Sequence, residues 1–324
     1  MLLQIEHRLH FRYDGFIRES HMDVRVEPRT QSGQVLLDFS LLVGPSTRVT
    51  RHEDWLGNAV HWFSITDYHE RIEILARSLI DTMPEVVLPG LVQDPIMKVP
   101  AGMELWDFLQ IEDPILDDEP LRSLHADLGL TKVQTIGEAV EIVGTGLQDR
   151  FEYRSNVTDA HSTTDALLIG GGGVCQDFAH VALGLLRLTG VPARYVSGYL
   201  HVERETKAPS ESHAWIEYWS PTHGWQPYDP THGLVPEEKY VTVGYGRSYR
   251  DVPPNRGIYQ GAASESLQVE VMTSPGQKPD RRRQVDDMLV DLPVYAEAPD
   301  RISRTDLPGS DAASQQQQQQ QQQQ

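Results

Sequence analysis

The chain has one cysteine in 324 residues, Cys175, so an intrachain disulfide is impossible and a cystine-stapled fold is excluded. No paired cysteines and no HExxH helix occur either. The two commonest zinc arrangements are therefore missing, and neither a metal nor any other cofactor is expected. Long apolar runs are also lacking. No stretch approaches the ~20 apolar residues that cross a bilayer, so no membrane partner is expected. The N-terminus, "MLLQIEHRLHFRYDG", carries charge and histidine by residue 10, which breaks the apolar core of a secretory signal. With the lone cysteine, this gives a cytoplasmic location as the expectation. Positive charge is scarce too: Lys and Arg total 28 against 47 Asp and Glu, a formal net charge of -19. Such a surface repels phosphate backbones, so nucleic acid is not an expected partner, and the acidity is read as serving solubility.

What the chain does contain falls into four spans. Over residues 1–80 apolar residues alternate: Leu3, Ile5, Leu9, Phe11 and Tyr13 in one run, Val35, Leu37, Phe39, Leu41 and Val43 in another. Period two marks strands with one buried face, and Gly57-Asn58 between apolar runs marks a hairpin turn. An antiparallel β-sandwich is expected here. Residues 81–155 are punctuated by prolines and read as short helices around "ELWDFLQ" and "LRSLHADLG". A longer amphipathic helix follows, from Ile136 to Phe151, with Thr135 as N-cap and Glu138 three residues on. Residues 156–272 run loop, glycine run, helix and several aromatic strands, with "SLQVEVMT" as a last strand. From 273 to 324 apolar density falls and the chain ends in ten glutamines, which reads as a disordered tail.

Cys175 lies in "GGGGVCQDFAHVALGLLRLTG", between four glycines and a helical pattern closed by Gly190. No Gly-Lys-Ser/Thr follows the glycines, which rules out a phosphate loop. A cysteine at a helix N-terminus meets free N–H groups and the positive end of the dipole, both of which favour a thiolate. His213 begins the strand "HAWIEYW", and Asp229 ends "GWQPYDP", 16 residues later. A hairpin between these strands would set histidine and aspartate side by side, facing the cysteine. The expected roles are nucleophile for Cys175, base for His213 and orienting acid for Asp229. Gln176 is a candidate for the oxyanion hole, and Trp215 and Trp225 for the walls of an acyl groove. Asp177 reads as a first-turn acid, His180 as a packed residue, and His223 and His232 as turn residues without a role.

"GVCQDFAHVALGLLRLTGVPARYVSGYL" followed by "SHAWIEYWSPTHGWQPYDPTHG" resembles the transglutaminase-like superfamily. The resemblance rests on an ordered Gly-Val-Cys helix, a His-Ala-Trp strand and a Gly-Trp-x-x-x-Asp-Pro strand. The first 80 residues are similar to the β-rich domain that precedes this core in many bacterial members, and "VGYGRSYRDVPPNRGIYQG" to the end of their core. The chain departs from that pattern at Ser248, where the family carries an acidic residue. The resemblance implies an α+β fold, with a papain-like core whose cysteine helix packs on an antiparallel sheet. It also implies that Cys175, His213 and Asp229 form the triad. Animal members use calcium, but no EF-hand-like loop is present here.

The expected function is cysteine-dependent acyl transfer on peptide or carboxamide bonds through a thioester, with a peptide or protein substrate. Hydrolysis by a protease or amidase is the leading reading, because water is always present. Cross-linking to a lysine amine, or a non-catalytic scaffold of the same fold, are the alternatives. The sequence leaves the oligomeric state open.

Overall fold

Leu2–Val24 forms a strand of 23 residues, β1, around which the first half of the protein is organised. It is followed by β2 (Gln34–Gly44), β3 (Thr50–Glu53), β4 (Ala59–Ile65) and β5 (His69–Thr82). Next come α1 (Met103–Trp106), α2 (Glu119–Asp127), α3 (Ile136–Arg150), β6 (Glu152–Tyr153), α4 (Thr164–Gly170), β7 (Gly172–Gly173) and α5 (Cys175–Thr189). The chain then forms β8 (Ala193–Leu200), β9 (Glu211–Ser220), β10 (Gly224–Tyr228), β11 (Tyr240–Gly246), β12 (Asn255–Gln260) and β13 (Glu265–Pro275). This is a computed structural model, and it describes residues 1–96, 103–203, 211–276 and 292–297.

The odd-numbered Leu3, Ile5, Leu9, Phe11 and Tyr13 of β1 are buried, as the alternation requires. Between Arg12 and Ile17 the register shifts and β1 changes neighbours. Its first half runs antiparallel to β5 and β13, and its second half to β4 and β12. β2 lies outside β5, and β3 outside β4. β1 thus belongs to two layers, which enclose a core that includes Phe11, Ile17, Val24, Phe63 and Ile72. The expected turn at Gly57 closes the β3–β4 hairpin, with Gly57 at φ 72° and Asp54 Oδ1 accepting the N–H groups of Leu56 and Asn58 at 3.0 Å.

β2 departs from its expected alternation. Leu36 pairs with Ile80 and Asp38 with Leu79, so Leu37 is the extra residue of a bulge. The bulge reverses the phase of the strand. Phe39, Leu41 and Val43 pack on the core beyond it, whereas Val35 and Leu37 are 47% and 53% exposed. Sheet membership also crosses the expected spans. β12 falls within 156–272 and β13 runs from there through Pro275, into the expected tail, yet both hydrogen-bond to β1, where Leu267 and Val271 are buried. Pairing there covers an edge of β1 that would otherwise expose its ladder. Of the expected tail, Tyr295 returns to exchange two backbone hydrogen bonds with Tyr68 at 2.9 Å, and its ring meets Phe16 edge-on at 5.4 Å. Residues 277–291 and 298–324, including the glutamine run, lie outside the described residues.

The second half is built around α5. The sheet β10-β9-β8-β11, antiparallel throughout, covers one side of the helix, and α2, α3 and α4 cover others. The sequence pattern marks a single apolar face, but every residue from Cys175 to Arg187 is buried, because neighbouring helices close the sides the sheet leaves open. Thr135 caps α3 as expected, its Oγ1 accepting the Glu138 N–H at 3.3 Å, while Glu138 Oε2 accepts the Gln134 N–H at 3.0 Å. Gly190 ends α5 in the left-handed region at φ 92°. No helix among the described residues is long and apolar enough to cross a membrane.

Candidate active site

The glycine run sets the start of α5. Gly171 ends α4 at φ 73°, and Gly172-Gly173 pairs in parallel with β6. A Cβ on Gly173 would stand 2.6 Å from Asp177 Oδ2. Its absence lets the Asp177 carboxylate fold back and accept the Val174 N–H at 2.8 Å. Thr158 Oγ1 donates to the same oxygen at 2.6 Å, which ties the loop before α4 to the helix start. Burial pushes Asp177 up to about 6, against the pull of these two hydrogen bonds. Cys175 is the first residue of α5, so its own N–H has no intrahelical partner and the positive end of the dipole lies at the thiol.

The β9–β10 hairpin pairs Ile216 with Tyr228, which sets Asp229 beside the start of β9. There His213 Nε2–H donates to Asp229 Oδ2 at 2.8 Å. Cys175 lines one cavity with this ring and is the second group that raises it, and Nδ1 is the nitrogen that Asp229 leaves free to face it. Burial disfavours charge on His213, but Asp229 first and Cys175 second outweigh it and push the ring up to about 10. Burial likewise acts to raise Asp229. The hydrogen bonds from His213, His232 and Tyr240 reverse that and hold its carboxyl far below the usual carboxylate range.

His232 and Tyr240 had no role in the sequence reading. His232 Nδ1–H and the Tyr240 hydroxyl each donate to Asp229 Oδ2 at 2.7 Å. Asp229 Oδ1 accepts the backbone N–H groups of Thr231 and His232 at 2.8 and 3.2 Å, so a turn immediately after the carboxylate fixes its rotamer. The Asp-x-x-His spacing is a signal for His232, since a side chain three residues on can fold back on an Asx turn. Nothing local signals Tyr240, which arrives on another strand. His213, Asp229 and His232 bring three potential metal-ligand atoms within 4.8 Å, but the hydrogen bonds among them already use those atoms.

Cys175, Gln176, Tyr195, His213 and, from the β-domain, His7 line a small cavity of about 50 Å³. Gln176 is buried at its edge, its Nε2 donating to the Ala160 carbonyl at 3.4 Å. Trp215 lies outside this cavity. Its indole is buried and stacks on the His213 ring at 6.1 Å and 28°, so it buttresses the imidazole. Trp225 is not part of the cluster. It meets Phe108 and Trp219 edge-on at 5.1 and 5.4 Å under the Arg194 guanidinium, and it lines a separate groove of about 920 Å³. His180 is packed, accepting the Tyr249 N–H at 3.1 Å, and burial pushes it down to about 3. Ser248 caps the short turn after β11, accepting the Arg250 N–H at 3.3 Å. A thiol beside an imidazole that is itself oriented by a buried carboxylate is the arrangement nucleophilic acyl transfer requires.

Residues 124–230 match the family model of the transglutaminase-like superfamily, and residues 3–81 that of the bacterial transglutaminase-like N-terminal region. The chain belongs to the transglutaminase-like superfamily. It is 31% identical over 275 residues to an uncharacterized protein of Mycobacterium leprae, covering 83% of this chain and 97% of that one. A stretch of 140 residues is 29% identical to a protein-glutamine gamma-glutamyltransferase of Pseudomonas aeruginosa, covering 41% of this chain and 21% of that protein. A solved structure from Cytophaga hutchinsonii, provisionally assigned as a cysteine protease, superposes with a TM-score of 0.71 at 21% identity, covering 86% of this chain and 92% of that one. That likeness shows the shared fold.

Proposed function

We propose that this superfamily member is a cysteine-dependent hydrolase of peptide or carboxamide bonds. The observation that carries the reading is the continuous relay from Cys175 through His213 to the buried, fully hydrogen-bonded Asp229. In the proposed reaction the Cys175 thiol passes its proton to His213 Nδ1, and the sulfur attacks the substrate carbonyl. The C–N bond breaks, the leaving amine takes the proton from His213, and a thioester remains on Cys175. Water then attacks the thioester as His213 accepts its proton, and the carboxylic acid product departs from the sulfur. The N–H groups of the first turn of α5 lie at the right end of the helix to hold the developing oxyanion. Asp229 keeps the imidazole in the tautomer and orientation that this relay needs.

The substrate class is a peptide or protein, and the location is cytoplasmic, a reading supported by the single cysteine. The reading with an amine as acyl acceptor is favoured by one observation, the similarity to the protein-glutamine gamma-glutamyltransferase of Pseudomonas aeruginosa. Incubation of the full chain with a peptide library and a labelled primary amine, followed by mass spectrometry, separates the two. Cleavage or deamidation that disappears in Cys175→Ala is the expected result. Cys175-dependent incorporation of the amine would establish cross-linking instead, and no Cys175-dependent product would leave only a scaffold.

A further inference from the structure

Before its register shift, the strand β1 carries one polar residue where its alternation calls for an apolar one. His7 stands between Ile5 and Leu9 on the buried face and is 2% exposed. It also lines the cavity that holds Cys175 and His213, so the N-terminal β-domain contributes a side chain to the candidate active site. His7 Nδ1 meets the Tyr199 hydroxyl at 2.8 Å, and that hydroxyl lies 3.5 Å from the Val26 carbonyl. The carbonyl can only accept, and the hydroxyl has a single proton. Both contacts are hydrogen bonds only if Tyr199 donates to Val26 and accepts from Nδ1–H. His7 Nε2 is then a bare acceptor, and it is buried without any hydrogen-bond partner. A buried acceptor left unpaired is costly, unless a group that visits the cavity pairs with it.

We propose that His7 binds the acyl acceptor: Nε2 accepts a hydrogen bond from the water or amine that attacks the Cys175 thioester. This rests on the acyl-transfer reading given above. The nucleophile carries two hydrogens. One is taken by His213 as the new bond to carbon forms, and the other stays on the nucleophile, hydrogen-bonded to His7. The carbon–sulfur bond then breaks, and sulfur leaves as a thiolate beside the protonated His213. No proton moves to His7, which positions the attacking atom. Burial pushes His7 down to about 4, so its ring is neutral near neutral pH, as an acceptor must be. Tyr199, on β8 of the catalytic half, fixes the tautomer of a histidine on β1 of the other half. The two halves of the chain would thus complete one site.

The test uses p-nitrophenyl acetate on the full chain, with water as acceptor. The burst of p-nitrophenol reads acylation, the steady rate reads deacylation, and intact mass reads acetyl-Cys175. His7→Phe is expected to keep burst amplitude and rate while deacylation falls by about tenfold, the scale of one lost hydrogen bond to the attacking atom. His7→Gln, which keeps an acceptor at the ring's far edge, is expected to restore much of the rate. Tyr199→Phe, which removes the tautomer lock and leaves His7 in place, is expected to slow deacylation and spare the burst. Deacylation at the wild-type rate in His7→Phe overturns the proposal, as does slowed acylation with deacylation unchanged, which would make Nε2 a donor to the oxyanion. If His7→Phe loses burst amplitude through misfolding, the Tyr199→Phe result decides. If wild type forms no acetyl-Cys175, the enzyme reading itself fails, an outcome distinct from all of these.

Discussion

Asp229→Asn changes few atoms, yet should disable the relay. In the native site Asp229 Oδ2 accepts from three donors, His213 Nε2–H, His232 Nδ1–H and the Tyr240 hydroxyl. Oδ1 is engaged by the backbone N–H groups of Thr231 and His232, so the new amide keeps its oxygen on that side. Its NH2 then faces the three former donors. His213 can relieve the clash only by moving its proton from Nε2 to Nδ1, the nitrogen that must accept from Cys175. The perturbation therefore removes a hydrogen bond to a charged group and inverts the tautomer at once. The first effect alone is worth about 1.5–3 kcal/mol. At about 1.4 kcal/mol per tenfold, that lowers the thiolate–imidazolium population by roughly 10- to 150-fold. Because Cys175 is the only cysteine, iodoacetamide labelling followed by intact mass reads that population without interference. The second-order alkylation rate at pH 7 in Asp229→Asn should fall by about that factor. An alkylation rate unchanged from wild type, in a protein with unchanged circular dichroism, would refute the claim that Asp229 acts through His213.

Two further predictions concern stability. Asp177 is raised from 3.8 to about 6, mainly by burial, so the unfolded chain gives up this proton at lower pH than the folded one. The contribution of this group to folding stability should therefore fall by about 3 kcal/mol as pH rises between those two values. The change in unfolding free energy from pH 4 to pH 7 should be more positive in Asp177→Asn than in wild type by about that amount in urea unfolding, and an identical change would reject the assignment. At Gly198 an added Cβ would stand 2.2 Å from the Val241 carbonyl and 2.4 Å from the Trp215 indole that stacks on His213. Gly198→Ala should cost about 1–3 kcal/mol in urea unfolding and slow alkylation of Cys175 as Trp215 is displaced, and unaltered values of both would contradict the packing described.

The strands of the β-domain and the cysteine helix were legible because their signals are local. Alternation in β1 and the Thr135 and Gly190 caps are written within a few residues of the element they define. The elements that misled depend on partners far along the chain. Leu37 is apolar and in phase, and only pairing with β5 reveals the bulge that turns it outward. The pairing of β12 and β13 with β1 joins residues some 250 apart, which no local pattern encodes. The same distinction holds at the site. The ordered motifs pointed to Cys175, His213 and Asp229, and the β9–β10 hairpin brings the last two together. Tyr240 and His7 reach the site from other strands. Trp225 lies near Asp229 in sequence, but its side chain belongs to a different groove. His7 was in principle visible, as a histidine in the apolar phase of a strand.

The central claim is that His213 activates Cys175. Alkylation of the single thiol should be followed against pH in wild type and in His213→Ala, with Cys175→Ala as the blank. His213 is raised to about 10 by Asp229 and Cys175 against the pull of burial, so its ring can take and hold a proton through neutral pH. Wild type should alkylate faster than His213→Ala across the neutral range, with the variant's rate rising only at alkaline pH as for an ordinary thiol. Superimposed profiles for the two proteins would show that the histidine does not activate the cysteine, and would contradict the mechanism.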